Sequence, residues 1–174
     1  MQKFDIRALV LGGMFVSLTI LLTYVFALHT TFVHITFGFV PIALYGAMYG
    51  PWKGALVGAA ANLIGTAVLG LSIFFPGFTL SDFCTGWIYG YFFHKKRQIG
   101  WKEAWKPFLL VTVLIHLGLN TLWLVIFYDK AAEAIFLSRL IKNIICYPME
   151  IMLFMFVHRS VYAAIMWKKS VSVK

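Results

Sequence analysis

Charge is scarce in this chain. Asp, Glu, Lys and Arg make up 12% of its 174 residues, against about 25% in a typical soluble domain. Ala8 to Trp52, Gly54 to Ser81 and Pro107 to Tyr128 contain none of the four. A bilayer core about 30 Å thick takes roughly 20 apolar residues of helix to cross. The first of these runs is too long for one crossing, so the chain turns inside apolar sequence. Cysteine is nearly absent too. Cys84 and Cys146 both sit in apolar surroundings without metal-ligand spacing, which excludes a disulfide framework and reads as packing. The five histidines (His29, His34, His94, His116 and His158) show no paired spacing for a metal. No G-x-x-x-x-G-K-[ST], H-E-x-x-H, G-x-S-x-G or C-x-x-C occurs, so the chain carries no P-loop and no enzyme signature. Gly50-Pro51-Trp52-Lys53-Gly54 is too short to cradle phosphate. No cofactor and no metal is expected. No polar linker is long enough to separate two domains, so residues 1–174 read as one transmembrane domain.

What is present is 61% hydrophobic residues and a mean hydropathy of +0.86, values that fit lipid as the solvent. The expected class is all-α integral membrane, with six spans near Ala8–Leu28, Phe37–Gly50, Ala55–Leu71, Leu80–Phe93, Pro107–Phe127 and Glu133–His158. The basic N-terminus is followed by too long an apolar run for a cleaved leader, so span 1 reads as retained. Spans 2 and 4 are short, and hydropathy alone allows spans 2 and 3 to fuse. Pro and Gly at 50–54 punctuate the chain there. Charge decides between the two counts. With six spans the cytoplasmic side receives Lys3, Arg7, Lys53, Lys95, Lys96, Arg97, Lys102, Lys106, Arg159, Lys168, Lys169 and Lys174, and the outer loops receive Lys130 alone. A fused span would put the cluster from Lys95 to Lys106 opposite Lys3 and Arg7, against the positive-inside rule. Both termini are therefore expected in the cytoplasm. The net charge of +9 reports orientation, and nucleic acid is not an expected partner.

Arg139 and Lys142 remain, inside span 6 and nearer its outer end. Charges within a span are costly and generally face a cavity or a partner. At 100° per residue, Arg139, Lys142, Asn143, Cys146 and Glu150 fall within about 100° of one another. Two bases and an amide on one face point to an anion-binding cavity opening outward; the alternative is an Arg139 that snorkels to headgroups and a Glu150 paired with a neighbouring helix. Span 5 offers a matching face of His116, Asn120, Trp123 and Phe127. Asn120 donates and accepts hydrogen bonds, and Trp123 stacks on a flat ring or serves as an interfacial anchor. Asp82 opens span 4, just past Phe78 and Thr79. It is suited to accept paired N–H groups from a heterocycle, or to act as counter-ion to Arg139 or Lys142. Phe74, Phe75 and Phe78 are lid or lipid-anchor candidates. On span 1, Gly13 and Ser17 stand at small-xxx-small spacing, with Ala8 and Gly12 offset beside them. Such spacing admits close approach of another helix. The halves show no convincing internal repeat of the kind common in self-contained transporters. A polar outer pocket without an engine describes a binding subunit.

Three stretches carry a family resemblance. The first runs from Ile35-Thr36-Phe37-Gly38-Phe39-Val40-Pro41 through Tyr49-Gly50-Pro51 to Gly54–Gly58. The second is Phe75-Pro76-Gly77-Phe78-Thr79-Leu80, continuing to Gly86-Trp87-Ile88-Tyr89-Gly90. The third is Asn120-Thr121-Leu122-Trp123, with Arg139-Leu140-Ile141-Lys142 beyond it. With them the chain resembles the substrate-binding S components of energy-coupling factor (ECF) vitamin transporters, and most closely their folate-specific branch. The Phe-Pro-Gly-Phe-Thr and Asn-Thr-Leu-Trp elements are the specific parts; glycine-rich span 3 is generic. The resemblance implies six helices in a prokaryotic plasma membrane and capture of folate or a related vitamin from outside. It also implies docking onto an ECF module of one transmembrane coupling subunit and two ATPases. In that family a small-residue pattern on the first helix forms the docking surface, which maps onto Gly13 and Ser17. The resemblance leads one to expect Asp where this chain has Asn62, a departure that bears on packing or on substrate choice.

The expected ligand site is therefore Asp82, Phe78, Thr79, Asn120, Trp123, Arg139, Lys142 and Asn143, with Gly13 and Ser17 for docking. Arg139 and Lys142 would hold folate carboxylates, Asp82 and Asn120 would read pterin edges, and Trp123 or Phe78 would stack. Exchanging the ends of the ligand satisfies the same residues nearly as well. The rival readings are an S component for pantothenate, thiamine or a queuosine precursor, and a stand-alone carrier.

Overall fold

The computed structural model describes residues 6–26, 28–29, 34–70, 74–96, 99–128 and 132–171; the side chains of 28–29, 34–35, 124, 127–128, 132–139 and 162–171 lie outside that description. The fold is all-helical. The α-helices are α1 (Ile6–Ile20), α2 (Phe39–Tyr49), α3 (Pro51–Leu63), α4 (Pro76–Phe93), α5 (Trp101–Leu110), α6 (Asn120–Tyr128) and α7 (Ala132–Val171). Wide π-type turns extend α1 over Leu21–Val25 and α3 over Ile64–Val68, and a third, Val111–Leu119, joins α5 to α6 in one rod. Six helical rods result among the described residues. A two-residue antiparallel pairing, Leu28 with Ile35 and His29 with His34, is the extended structure among the described residues.

Among the described residues, three helical stretches are long and apolar enough to cross a membrane: Ile6–Val25, Trp101–Trp123 and Leu140–Val161. The short helix α2 spans about 16 Å at 1.5 Å per residue. At 40 residues α7 is roughly twice the bilayer thickness, so part of it lies outside the hydrocarbon.

The boundaries have local causes. Gly50 ends α2 and begins α3 at φ 94°, a conformation glycine adopts without strain, and Pro51 follows at the first turn of α3. Spans 2 and 3 are therefore separate helices. Phe75 is extended, as a residue before proline must be, and Pro76 starts α4. The structure departs from the sequence reading between the fourth and fifth spans, where charge suggests a connector up to Lys106. Helix α5 already begins at Trp101, where the Glu103 carboxylate accepts the Gly100 amide N–H at 2.6 Å. Ala104 and Phe108, one turn apart, are fully buried while Trp101, Lys102, Trp105 and Lys106 are exposed.

Two kinds of packing hold the bundle. Toward the His94 end of α4, aromatic rings interlock: Phe93 stacks on Phe154 at 4.7 Å, and Phe108 lies against both Tyr89 (4.9 Å) and Phe154 (5.6 Å). Where α2, α3 and α4 cross, side chains disappear. A Cβ on Gly54 would meet Gly46 Cα at 2.8 Å and Gly86 O at 2.9 Å; one on Gly90 would meet Pro51 N at 2.8 Å. Backbone rests on backbone, the mode by which small residues hold membrane helices together.

Candidate functional site

The seam of α3 and α4 carries the main polar cluster. Asn62 lies near the end of α3, and Thr79 and Asp82 lie three residues apart on one face of α4. Thr79 Oγ1 donates to Asn62 Oδ1 at 2.9 Å, and Asn62 Nδ2 donates to Asp82 Oδ2 at 2.9 Å. Gly58, one turn before Asn62, packs against the Asp82 carbonyl, with 3.1 Å from its Cβ position to the carbonyl carbon. The hydrogen bond seen at Asp82 thus runs to Asn62, a residue that the sequence marks only by its identity.

Asp82 and Asn62 line a small cavity of about 80 Å³ with Thr19, Thr23, Tyr24 and Thr85; Thr36, Phe39, Ile42 and His116 complete most of its wall. Each of the three wide turns delivers part of this region. Thr23 and Tyr24 come from the first, His116 from the third, and Gly65 of the second takes the Tyr24 ring on its bare Cα, 3.0 Å from its Cβ position to Cζ. Wide turns of this kind recur at functional sites because they re-aim side chains and free backbone groups. Whole-ligand pockets occupy about 300–1,000 Å³, so the enclosed space suits one end of a ligand.

Beside the cavity stands an aromatic group. Phe75 contacts Phe78 at 5.7 Å, nearly edge-on, and Trp123 at 5.7 Å. Trp123 Nε1 donates to Ser81 Oγ at 3.2 Å, which ties α6 to α4 next to Asp82. Gly77 allows this closeness, since a Cβ there would press into both Phe75 and Trp123. Phe74 is 41% exposed and takes no part in these ring contacts.

Of the residues singled out in the sequence, the structure brings Asp82, Thr79, Phe78 and Trp123 together and adds His116 from the facing helix. Asn120 Oδ1 and Asn143 Nδ2 are buried with no hydrogen-bond partner among the described residues, and neither lines the cavity. Lys142 is partly buried on α7 and lies within electrostatic reach of Glu150 two turns on. Arg139 belongs to α7, but its side chain lies outside the described residues. Thr19, Thr23 and Tyr24 escape a reading of the sequence, because isolated hydroxyls on an apolar helix make no periodic signal.

On α1 the small residues divide between two faces. Ala8 and Gly12 are buried against Tyr45 of α2, whose hydroxyl donates to Ala8 O at 2.8 Å. Gly13 and Ser17 face outward. Nothing lies within 4 Å of a Cβ on Gly13, and Ser17 Oγ donates to Gly13 O at 3.1 Å.

A bundle of this architecture with a polar cavity near one end is the arrangement of a membrane binding component. Residues 7–158 match the family described as "ECF transporter, substrate-specific component", and the chain belongs to that family, a transporter component and not an enzyme. Among its relatives is "Folate transporter FolT" of Clostridium novyi (strain NT), 34% identical over 145 residues, which cover 83% of this chain and 84% of the relative. A second protein of the same name, from Leuconostoc mesenteroides subsp. mesenteroides, is 30% identical over 154 residues, covering 86% and 83%. The solved structure "Crystal structure of FolT bound with folic acid" superposes with a TM-score of 0.82 at 34% identity, covering 88% of this chain and 93% of that one.

Proposed function

We propose that this chain is the folate-binding S component of an ECF-type importer. It captures the vitamin from outside and passes it through a shared module of one transmembrane coupling subunit and two ATPases. The observation that carries the reading is a likeness to folate transporters over more than four fifths of both chains. The hydrogen-bonded Asp82 at a polar cavity supports it. Folate joins a flat pterin to an aminobenzoate and a glutamate with two carboxylates. Asp82 and Asn120 read N–H and carbonyl edges of the pterin, Phe78 or Trp123 stacks on it, and Thr79 supports Asp82. Arg139, Lys142 and Asn143 take the carboxylates. Gly13 and Ser17 form the docking face.

The first test is to purify the protein, identify any small molecule that accompanies it, and titrate folate by calorimetry against a panel of other vitamins. Asp82→Ala is expected to weaken folate binding at least about 30-fold, because truncating one partner of a buried charge-assisted bond costs about 2–5 kcal/mol. Arg139→Ala is expected to lose a comparable amount through the carboxylate. Normal folate affinity in both variants would remove the proposed pocket.

The membrane arrangement belongs to the same proposal: residues 1–174 as one domain, six spans and both termini in the cytoplasm. Twelve bases on the inner side against Lys130 outside motivate it. Lys96 is exposed just past α4. With Cys84 and Cys146 replaced by serine, Lys96→Cys should react with an impermeant maleimide in inside-out vesicles and not in intact cells. The reverse pattern would overturn the orientation.

A further inference from the structure

We infer that Asn62 is the positioning residue that holds Asp82 as a hydrogen-bond acceptor, and so sets the cavity's preference for a ligand group with adjacent N–H donors. The inference rests on the folate-binding reading for its probe, and deepens it. An amide oxygen only accepts and an amide nitrogen only donates. The Thr79 hydroxyl bonds Asn62 Oδ1, so Nδ2 is turned onto Asp82 Oδ2. The chain Thr79–Asn62–Asp82 begins and ends on α4, with its middle member on α3. The two helices are locked together there by the approach of Gly58 to the Asp82 backbone. The amide therefore has little freedom to turn, as a supporting group must not. Donation to one oxygen leaves Asp82 Oδ1 for a ligand. It also suits the ionised carboxylate, which offers acceptors only.

An acid at position 62 would undo this arrangement. Two carboxyl groups within hydrogen-bond reach resist ionising together, so in Asn62→Asp the new carboxyl and Asp82 keep a shared proton to a pH well above the ordinary carboxyl range. While that proton stays, the acid pair imitates the Asn62–Asp82 bond. Once it leaves, the pair is two anions with no donor between them. The other titratable groups lining the cavity are Tyr24, from the turn after α1, and His116, from the turn between α5 and α6. Both are common to parent and variant.

The test is the affinity of purified Asn62→Asp for folate relative to the parent, from about pH 6 to about pH 8.5, a window above the ordinary carboxyl range. Taking the ratio at each pH cancels the titration of folate, Tyr24 and His116. The ratio should be near one at the acid end and should fall by roughly tenfold or more toward the alkaline end, since each proton-linked site contributes up to a factor of ten per pH unit. Parallel profiles would overturn the inference. Where Asn62→Asp does not yield folded protein, a double-mutant cycle takes over. Asn62→Ala alone should weaken binding roughly tenfold or more, and Asn62→Ala with Asp82→Ala should be no weaker than Asp82→Ala within about twofold, because one residue acts through the other. Additive losses would overturn it. A parent that binds no folate defeats the vitamin reading instead. The positional question is then answered without ligand: the thermal midpoint of Asn62→Asp should fall more steeply with rising pH than the parent's, and two parallel curves would sink it.

Discussion

Gly86→Leu is expected to leave no folded protein, whereas Gly13→Leu should be recovered at the parent's yield. The difference lies in what each new Cβ meets. At Gly86 it falls onto the Gly54 carbonyl, 2.6 Å from its carbon, and 2.9 Å from Ala55 Cα. These are backbone atoms of α3, so no rotamer change makes room. The helices would have to separate by ångströms along their whole crossing. That crossing also includes Gly46, Gly58 and Gly90, each against backbone in the same way. Overpacking a core costs about 1–3 kcal/mol when side chains can shift, and here they are not what must move. Against a total stability of about 5–15 kcal/mol the loss is decisive. The separation would also pull Asn62 from Asp82, whose hydrogen bond spans the same seam. Size-exclusion chromatography of detergent-solubilised protein distinguishes the two variants. A monodisperse Gly86→Leu with parental Tm would mean that α3 and α4 do not touch backbone to backbone.

That seam marks the boundary of what the sequence makes readable. The three charge-free runs, divided at their Gly and Pro breaks and counted with the positive-inside rule, anticipate the six helical rods among the described residues. The Gly50-Pro51 pair shows where α2 gives way to α3, because glycine admits a positive φ and proline fixes the φ that starts the next helix, both local effects. The glycines of α3 look generic, since spacing alone does not say whether a neighbouring helix exists to meet them. Trp101 to Lys106 looks like a connector from its charges. It is the first turns of a helix, with Ala104 and Phe108 turned inward and the charged residues exposed. The site divides similarly. Asp82 and Thr79 stand out as polar residues in an apolar span. Their link through Asn62 joins residues 20 and 17 positions apart, beyond the reach of helical periodicity. Tyr24 and His116 reach the cavity from wide turns, whose positions the sequence does not mark.

Binding and energising should separate cleanly on α1. Gly13 and Ser17 lie one turn apart on its outward face, with space beyond Gly13 and an exposed apolar surround of Leu9, Val10 and Met14. Small residues in that pattern let a second helix come close, and the Ser17 hydroxyl, already bonded to Gly13 O, needs no further partner. Tryptophan at either position projects into space the folded chain does not use, so Gly13→Trp and Ser17→Trp should bind folate within about twofold of the parent, as substitutions away from the pocket normally do. The same indole would hold the coupling subunit away by several ångströms, and contact forces of this kind vanish over a fraction of that distance. ATP-driven folate uptake in cells or proteoliposomes carrying the whole module should then drop to background. Gly12→Trp supplies the contrast. Its Cβ would lie 3.0 Å from the Tyr45 hydroxyl, inside the bundle, so that variant should fail at folding and lose both activities together. Retained uptake with tryptophan at position 13 or 17 would mean that the partner docks on another face of the bundle.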